Sequence, residues 1–298
     1  DTSSVNYMES LFSGCSSLTS IDISNFDFSH VKDISYMFSS CVNLIEINFG
    51  NINTSSLENM GDLFSGCSSL ISIDLSNFDT SKVINMSNMF SSCSNLVEIN
   101  FGNINTSSLE NMSYLFYNCS NLTSINLSNF DFSHVRNISS MFSYCSNLKE
   151  IIFGNINTSS LEDMGSLFYS CSNLTSTDLS NFDTSHVTNM SHMFYRCSNL
   201  KEINLDNIDT SSVRTFKFLF NGCSNLTSIN LSNFNTSQVT DMSRMFNDCK
   251  NLKYLDLSNF NTSQVTVMPY MFYGCNNLKY LDLSNFNTSK VYSINDIF

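Results

Sequence analysis

Apolar residues return along this chain on two rhythms that alternate within every 26 residues. Met112, Leu115, Phe116, Cys119 and Leu122 follow the i, i+3, i+4, i+7 spacing of one helical face. Directly after them, from Thr123 to Leu127, apolar and polar residues alternate with period two, the mark of a short strand with one face inward. Counting slots 1 to 26 from Asp1 aligns the whole chain without a gap, with copies starting at residues 1, 27, 53 and so on to 287. Phe fills slot 12 and Ser slot 3 in all twelve copies; Cys fills slot 15, Leu slot 18 and Asn slot 25 in the eleven complete ones.

A helical turn plus a strand in one short copy, with L-x-x-I-x-L at Leu122, Ile125 and Leu127, predicts an α/β fold: a leucine-rich-repeat solenoid of about eleven and a half coils. Parallel strands stack along one face, and residues 1–298 form a single array. Asn111 at slot 7 suits a helix N-cap, and Gly14, Gly66, Gly222 and Gly274 at slot 14 suit a helix exit. The first eight copies also alternate in pairs, N-L-x-E-I-N-F-G-N-I following S-L-T-S-I-D-L-S-N-F, a 52-residue super-period that duplication of paired copies explains. The chain opens without an initiator Met and its twelfth copy stops at slot 12, so it reads as a piece of something longer.

Stacking turns every invariant slot into a column with the inter-strand spacing of about 4.8 Å. The Phe and Leu columns bury apolar area. The Asn25 to Asn285 column follows the strand, where a buried amide can pair backbone groups left over by a turn, and the Ser3 to Ser289 column is expected to do likewise. Cys at slot 15, on the apolar face, reads as a small buried hydrophobe. Disulfides between neighbouring coils are geometrically conceivable, but 11 cysteines cannot all pair within one chain, and no C-x-x-C spacing suggests a metal.

Composition narrows the class. Charged residues make up 13% and hydrophobic residues 42%, so the chain has the apolar content for a long core. A net charge of -13 argues against nucleic acid or an anionic membrane as the main partner. No apolar run approaches the roughly 20 residues of a membrane span, so this segment is not expected to insert directly.

Candidate chemistry is sparse. His30, His134 and His186 share slot 4 in non-adjacent copies and His192 sits at slot 10, which gives no basis for a catalytic, cofactor or metal site. The clearest local break is Arg214-Thr215-Phe216-Lys217-Phe218, where Phe replaces Met and cations enter, read as repacking. Slots 20 and 22 should point to solvent from the strand. Glu46, Glu98, Glu150 and Glu202 line slot 20 in alternate copies, and Lys253, Tyr254 and Asp256 with Lys279, Tyr280 and Asp282 form a doublet of the kind that favours protein contact. N-x-S/T sites recur; those at slot 1, Asn53, Asn105, Asn157, Asn235, Asn261 and Asn287, are candidates for glycosylation.

The unit C-x-x-L-x-x-I-x-L-S-N-F-x-T-S-x-V-x-x-M-x-x-M-F-x-x-C resembles the BspA-like leucine-rich-repeat surface proteins, in particular their Met-Phe subtype of 26 residues, over the whole chain. The resemblance implies a non-enzymatic extracellular or cell-surface protein. Its expected partner is a protein or glycan on a host or neighbouring cell. The alternative is a structural scaffold, a stalk or a subunit of a self-associating filament or surface layer.

Overall fold

Slots 20–22 form the strands that the alternation predicts, paired in parallel across one repeat. The computed structural model describes residues 1–298, which divide into two compact units, Asp1–Asn137 with Met141–Ile156 and Ile138–Ser140 with Asn157–Phe298. In the first unit β1 (Ser20–Asp22) pairs with β2 (Glu46–Asn48), β3 (Ser72–Asp74) with β4 (Glu98–Asn100), and β5 (Ser124–Asn126) with β6 (Glu150–Ile152). In the second, β7 (Ser176–Asp178) pairs with β8 (Glu202–Asn204), and β9 (Tyr254–Leu255) with β10 (Tyr280–Leu281). Register is one whole repeat, Ile73 lying beside Ile99 and Leu255 beside Leu281. Each unit is therefore a parallel solenoid of the leucine-rich-repeat kind.

The strands come in twos rather than as one ladder, and in the first unit the twos coincide with the 52-residue alternation. Within a pair the backbones close tightly at slot 24. A Cβ on Gly102, whose φ is 56°, would meet the Ser76 Cβ at 2.6 Å, so only glycine fits there. Between pairs the contact passes to side chains: Phe49 meets Phe78, and Phe101 meets Phe130, edge to face at 5.0 Å in each case. The backbone link shifts as well, to the Ser69 N–H on the Val42 carbonyl and the Asn121 N–H on the Ser94 carbonyl, both at 3.1 Å. The super-period is thus a two-coil building block.

No α-helix forms in either unit, and the helical turn expected from slot 8 onward is a string of tight turns. In the coil of residues 79–104, the N–H groups of Met86, Asn88, Phe90 and Ser92 reach the carbonyls of Asn111, Ser113, Leu115 and Tyr117 in the next coil, at 3.0, 2.9, 3.0 and 2.7 Å. The intervening N–H groups of Met89, Ser91 and Cys93 close turns inside their own coil. A helix uses its N–H groups along its own axis. Here half of them go sideways, so the helix gives way while slots 8, 11, 12 and 15 still face inward. The alternation requires left-handed residues: every slot 10 has positive φ, Tyr36 (57°), His192 (58°) and Arg244 (55°) among them, with no glycine in that column. Each costs roughly 1–2 kcal/mol, offset by the lateral hydrogen bond it permits. Asn111 accordingly caps no helix; its Oδ1 accepts the Ser113 N–H at 3.0 Å in a turn. Gly14, Gly66, Gly222 and Gly274 serve the left-handed slot 14 (φ 73° to 78°), which Ser40, Tyr144 and Arg196 also occupy.

Rings at slot 12 stack along the core, Phe64 on Phe90 and Phe194 on Phe220, both at 5.6 Å. All cysteines are free, and nine of them, Cys41 to Cys249, are buried. The slot-25 amides differ from expectation. They are exposed, because the strand ends at the surface, and they pair with carbonyls of the preceding coil, as Asn207 does with Ser180 at 3.0 Å. The buried polar column lies at slot 2 instead. Thr80, 3% exposed, donates Oγ1 to the Asn105 carbonyl at 2.7 Å and accepts the Asn105 N–H at 3.2 Å. At slot 3 the backbone N–H is held by the side chain of slot 1, as in Ser81 on Asp79 Oδ1 at 3.0 Å.

Candidate contact surface

The strand alternation turns slots 20 and 22 outward, and the parallel register sets like beside like. Tyr254 and Tyr280 are cross-strand neighbours, 59% and 57% exposed. Lys253 and Lys279 flank them, also exposed. Asp256 Oδ1 accepts the Ser258 N–H at 2.9 Å, and Asp282 Oδ1 accepts the Ser284 N–H at 2.8 Å. These bonds hold both carboxyls below the ordinary carboxylate value; for Asp256 the backbone bond from Ser258 is the larger cause, for Asp282 the side-chain bond from Ser284. The six residues therefore form one surface, with one carboxylate oxygen of each Asp committed to its turn.

Glu46, Glu98 and Glu150 lie in the first unit beside Ser20, Ser72 and Ser124, and Glu202 lies beside Ser176 in the second. Each pairs with a serine, so within the first unit the glutamates are two coils apart. The slot-1 asparagines Asn53, Asn105, Asn157, Asn235, Asn261 and Asn287 are exposed, with Oδ1 held by the turn, as in Asn53 accepting the Ser55 N–H at 3.1 Å.

Histidines at slot 4 sit in a chain of the wrong order for nucleophilic catalysis. Asp183 Oδ1 accepts from Ser185 Oγ at 2.7 Å, and Ser185 Oγ meets His186 Nδ1 at 3.1 Å, which puts the serine between acid and base. Within the second unit the apolar interior leaves a void of about 10 Å³ among Met164, Leu179, Met190 and Met193, too small for an organic ligand. No helix is long and apolar enough to cross a membrane.

Sequence reasoning passed over one surface. Slots 9, 10, 13 and 14 of the second unit bring aromatic rings and cations together, as in Arg244 between Phe218 and Tyr270, 5.3 and 4.7 Å from the ring centroids. The signal was the Arg214 to Phe218 break: Phe216 is fully buried and does repack the core, but Lys217 and Phe218 reach the surface.

Among solved structures, a leucine-rich cell surface protein of Faecalibacterium prausnitzii is 20% identical, covering 91% of this chain and 74% of its own, with a TM-score of 0.51. Leucine-rich-repeat proteins of Eubacterium ventriosum (17% identity, 96% of this chain and 77% of that one, TM-score 0.46) and Bacteroides ovatus (21%, 92% and 81%, TM-score 0.36) are also similar. At such identities the likeness concerns the fold alone. No match is found among curated proteins. A family described as "Mycoplasma protein of unknown function, DUF285" matches residues 1–69, 42–152, 121–228 and 196–298, so end to end the chain belongs to that family.

Proposed function

We propose that this protein is a non-enzymatic adhesive scaffold of the BspA-like Met-Phe type, displayed outside the cell, which binds a partner protein through the strand face of its second unit. The observation that carries this reading is the Tyr254–Tyr280 pair, two large exposed rings in register and flanked by Lys253 and Lys279. Rings so placed give contact area at low entropic cost, and the lysines and aspartates supply a polar rim. Repetition of the coil holds the face rigid before any partner arrives. The exposed slot-1 asparagines place any attached glycan off the core.

The test is adhesion of protein-coated beads to epithelial cells, with the wild type compared with Tyr254→Ser/Tyr280→Ser. The double variant should lose most adhesion at an unchanged Tm. Undiminished adhesion removes the strand face from the function. Light scattering over a concentration series addresses the scaffold alternative, which predicts growth in mass.

A further inference from the structure

A second surface of the C-terminal unit, independent of the strand face, has its own chemistry. Rings from successive coils close on one another: Tyr169 stacks on Tyr195 at 4.5 Å and 18°, and His192 stacks on Phe218 at 4.7 Å and 15°. Over these rings lie cations from three consecutive coils. Arg196 sits 5.3 Å from the centroid of Tyr195, Lys217 5.6 Å from Phe218, and Arg244 bridges Phe218 and Tyr270. The chain has 26 acids to 13 bases, yet none of these three cations has a carboxylate within 4.0 Å, whereas Lys32 pairs with Glu58 and Lys250 with Asp248. A guanidinium laid on a ring keeps its N–H edge directed outward, ready for a planar or tetrahedral anion. Burial, and after it the charge of Lys217, hold the His192 imidazole below its ordinary value, with Asp241 opposing them.

We propose that this surface, built on Arg196, Lys217, Arg244 and the rings beneath them, binds an acidic polysaccharide bearing sulfate and carboxylate groups. A sulfated polysaccharide repeats its anionic groups along a stiff chain, and the protein sets one cation per coil on its bed of rings, at Arg196, Lys217 and Arg244. Polymer and surface thus repeat in the same way. Single-stranded nucleic acid fits less well. Bases need open aromatic faces, whereas these rings stack on each other. An acidic peptide supplies the charges on a flexible chain, whose ordering costs affinity that a stiff sugar chain keeps.

The experiment measures binding of a heparin-type sulfated octasaccharide to the intact chain, beside a neutral dextran oligosaccharide, oligo-glutamate and oligo(dT). The octasaccharide should bind with an affinity that falls as salt rises. Arg196→Gln/Lys217→Gln/Arg244→Gln should weaken it by about tenfold or more. Lys253→Gln/Lys279→Gln, on the strand face, should leave it unchanged. Arg196→Glu, at an exposed turn position that leaves the core untouched, should lower affinity by at least about threefold if the triple variant does not fold. Absence of octasaccharide binding, equal binding by the Arg196 variant, or equal affinity for oligo-glutamate or oligo(dT) overturns the proposal. Loss here with adhesion retained through Tyr254 and Tyr280 leaves the first reading intact.

Discussion

The Sγ–H of Cys93 donates to the main-chain carbonyl of Phe64, one coil earlier, at 3.1 Å, and that carbonyl also accepts the Cys67 N–H at 3.0 Å. The relation recurs between Cys119 and Phe90 in the first unit and between Cys223 and Phe194 in the second. A thiol is small and apolar enough for the core, and it still carries a donor for the second lone pair of the carbonyl. The column therefore needs one cysteine per coil and no partner cysteine.

Cys93→Ala should destabilise the protein by about 1–3 kcal/mol, from the lost contact volume and the unpaired lone pair. Urea unfolding measures it. A wild-type midpoint would reduce the column to filler.

Burial pushes the Cys67 and Cys145 thiols up from 9.0 to about 12. The folded state favours the neutral thiol, so its contribution is complete below the unfolded value of 9.0 and is lost as pH climbs toward about 12. Urea midpoints should fall through that window, and at neutral pH a thiol reagent should modify exposed Cys15 first. Constant stability across the window contradicts the buried-thiol column.

On the acid side, the side-chain bond from Ser81, then the backbone bond, lowers Asp79, and Asp131 and Asp183 are lowered in the same way by Ser133 and Ser185. Their contribution is present above the unfolded value of 3.8 and disappears as pH falls through the lower folded values. The Tm should therefore drop below that pH. Replacing Asp79, Asp131 and Asp183 with asparagine, which fills the same slot in other coils, should flatten the drop. An unchanged acid limb places the titration elsewhere.

Gly102→Ala forces a Cβ to within 2.6 Å of Ser76, whereas the same change at Gly14 meets nothing within 4 Å. Both positions have positive φ, so both pay the backbone strain of roughly 1–2 kcal/mol. The Gly102 variant should cost about 1–3 kcal/mol more, from overpacking inside a coil pair. Equal losses by thermal unfolding would mean that the pairs are not tight there.

Thr80→Val keeps the shape but removes both bonds to Asn105, leaving its part-buried N–H and carbonyl without that partner, for a loss of about 1–3 kcal/mol. Hydrogen exchange at the Asn105 amide should accelerate with it; an unchanged rate assigns that protection to some other group.

Much of this was decided by sequence alone. The 26-residue period, the inward rows through Phe38, Cys41 and Leu44, and the outward pairing of Tyr254 with Tyr280 follow from spacing, because a repeat that cannot close its own core must stack on its copies. The 52-residue alternation was legible too, though as ancestry rather than as contact.

Tertiary structure decided what each backbone N–H would do. Periodicity reports which side chains face inward, and a helix and a string of turns satisfy it equally at Met86, Met89, Phe90 and Cys93. Only the neighbouring coil, offering the carbonyls of Ser113 and Leu115, favours left-handed Asn88 over a helical one. The same holds for the surface of Arg196, Lys217 and Arg244. Their side chains lie in three different coils, and only stacking sets them over a shared bed of rings.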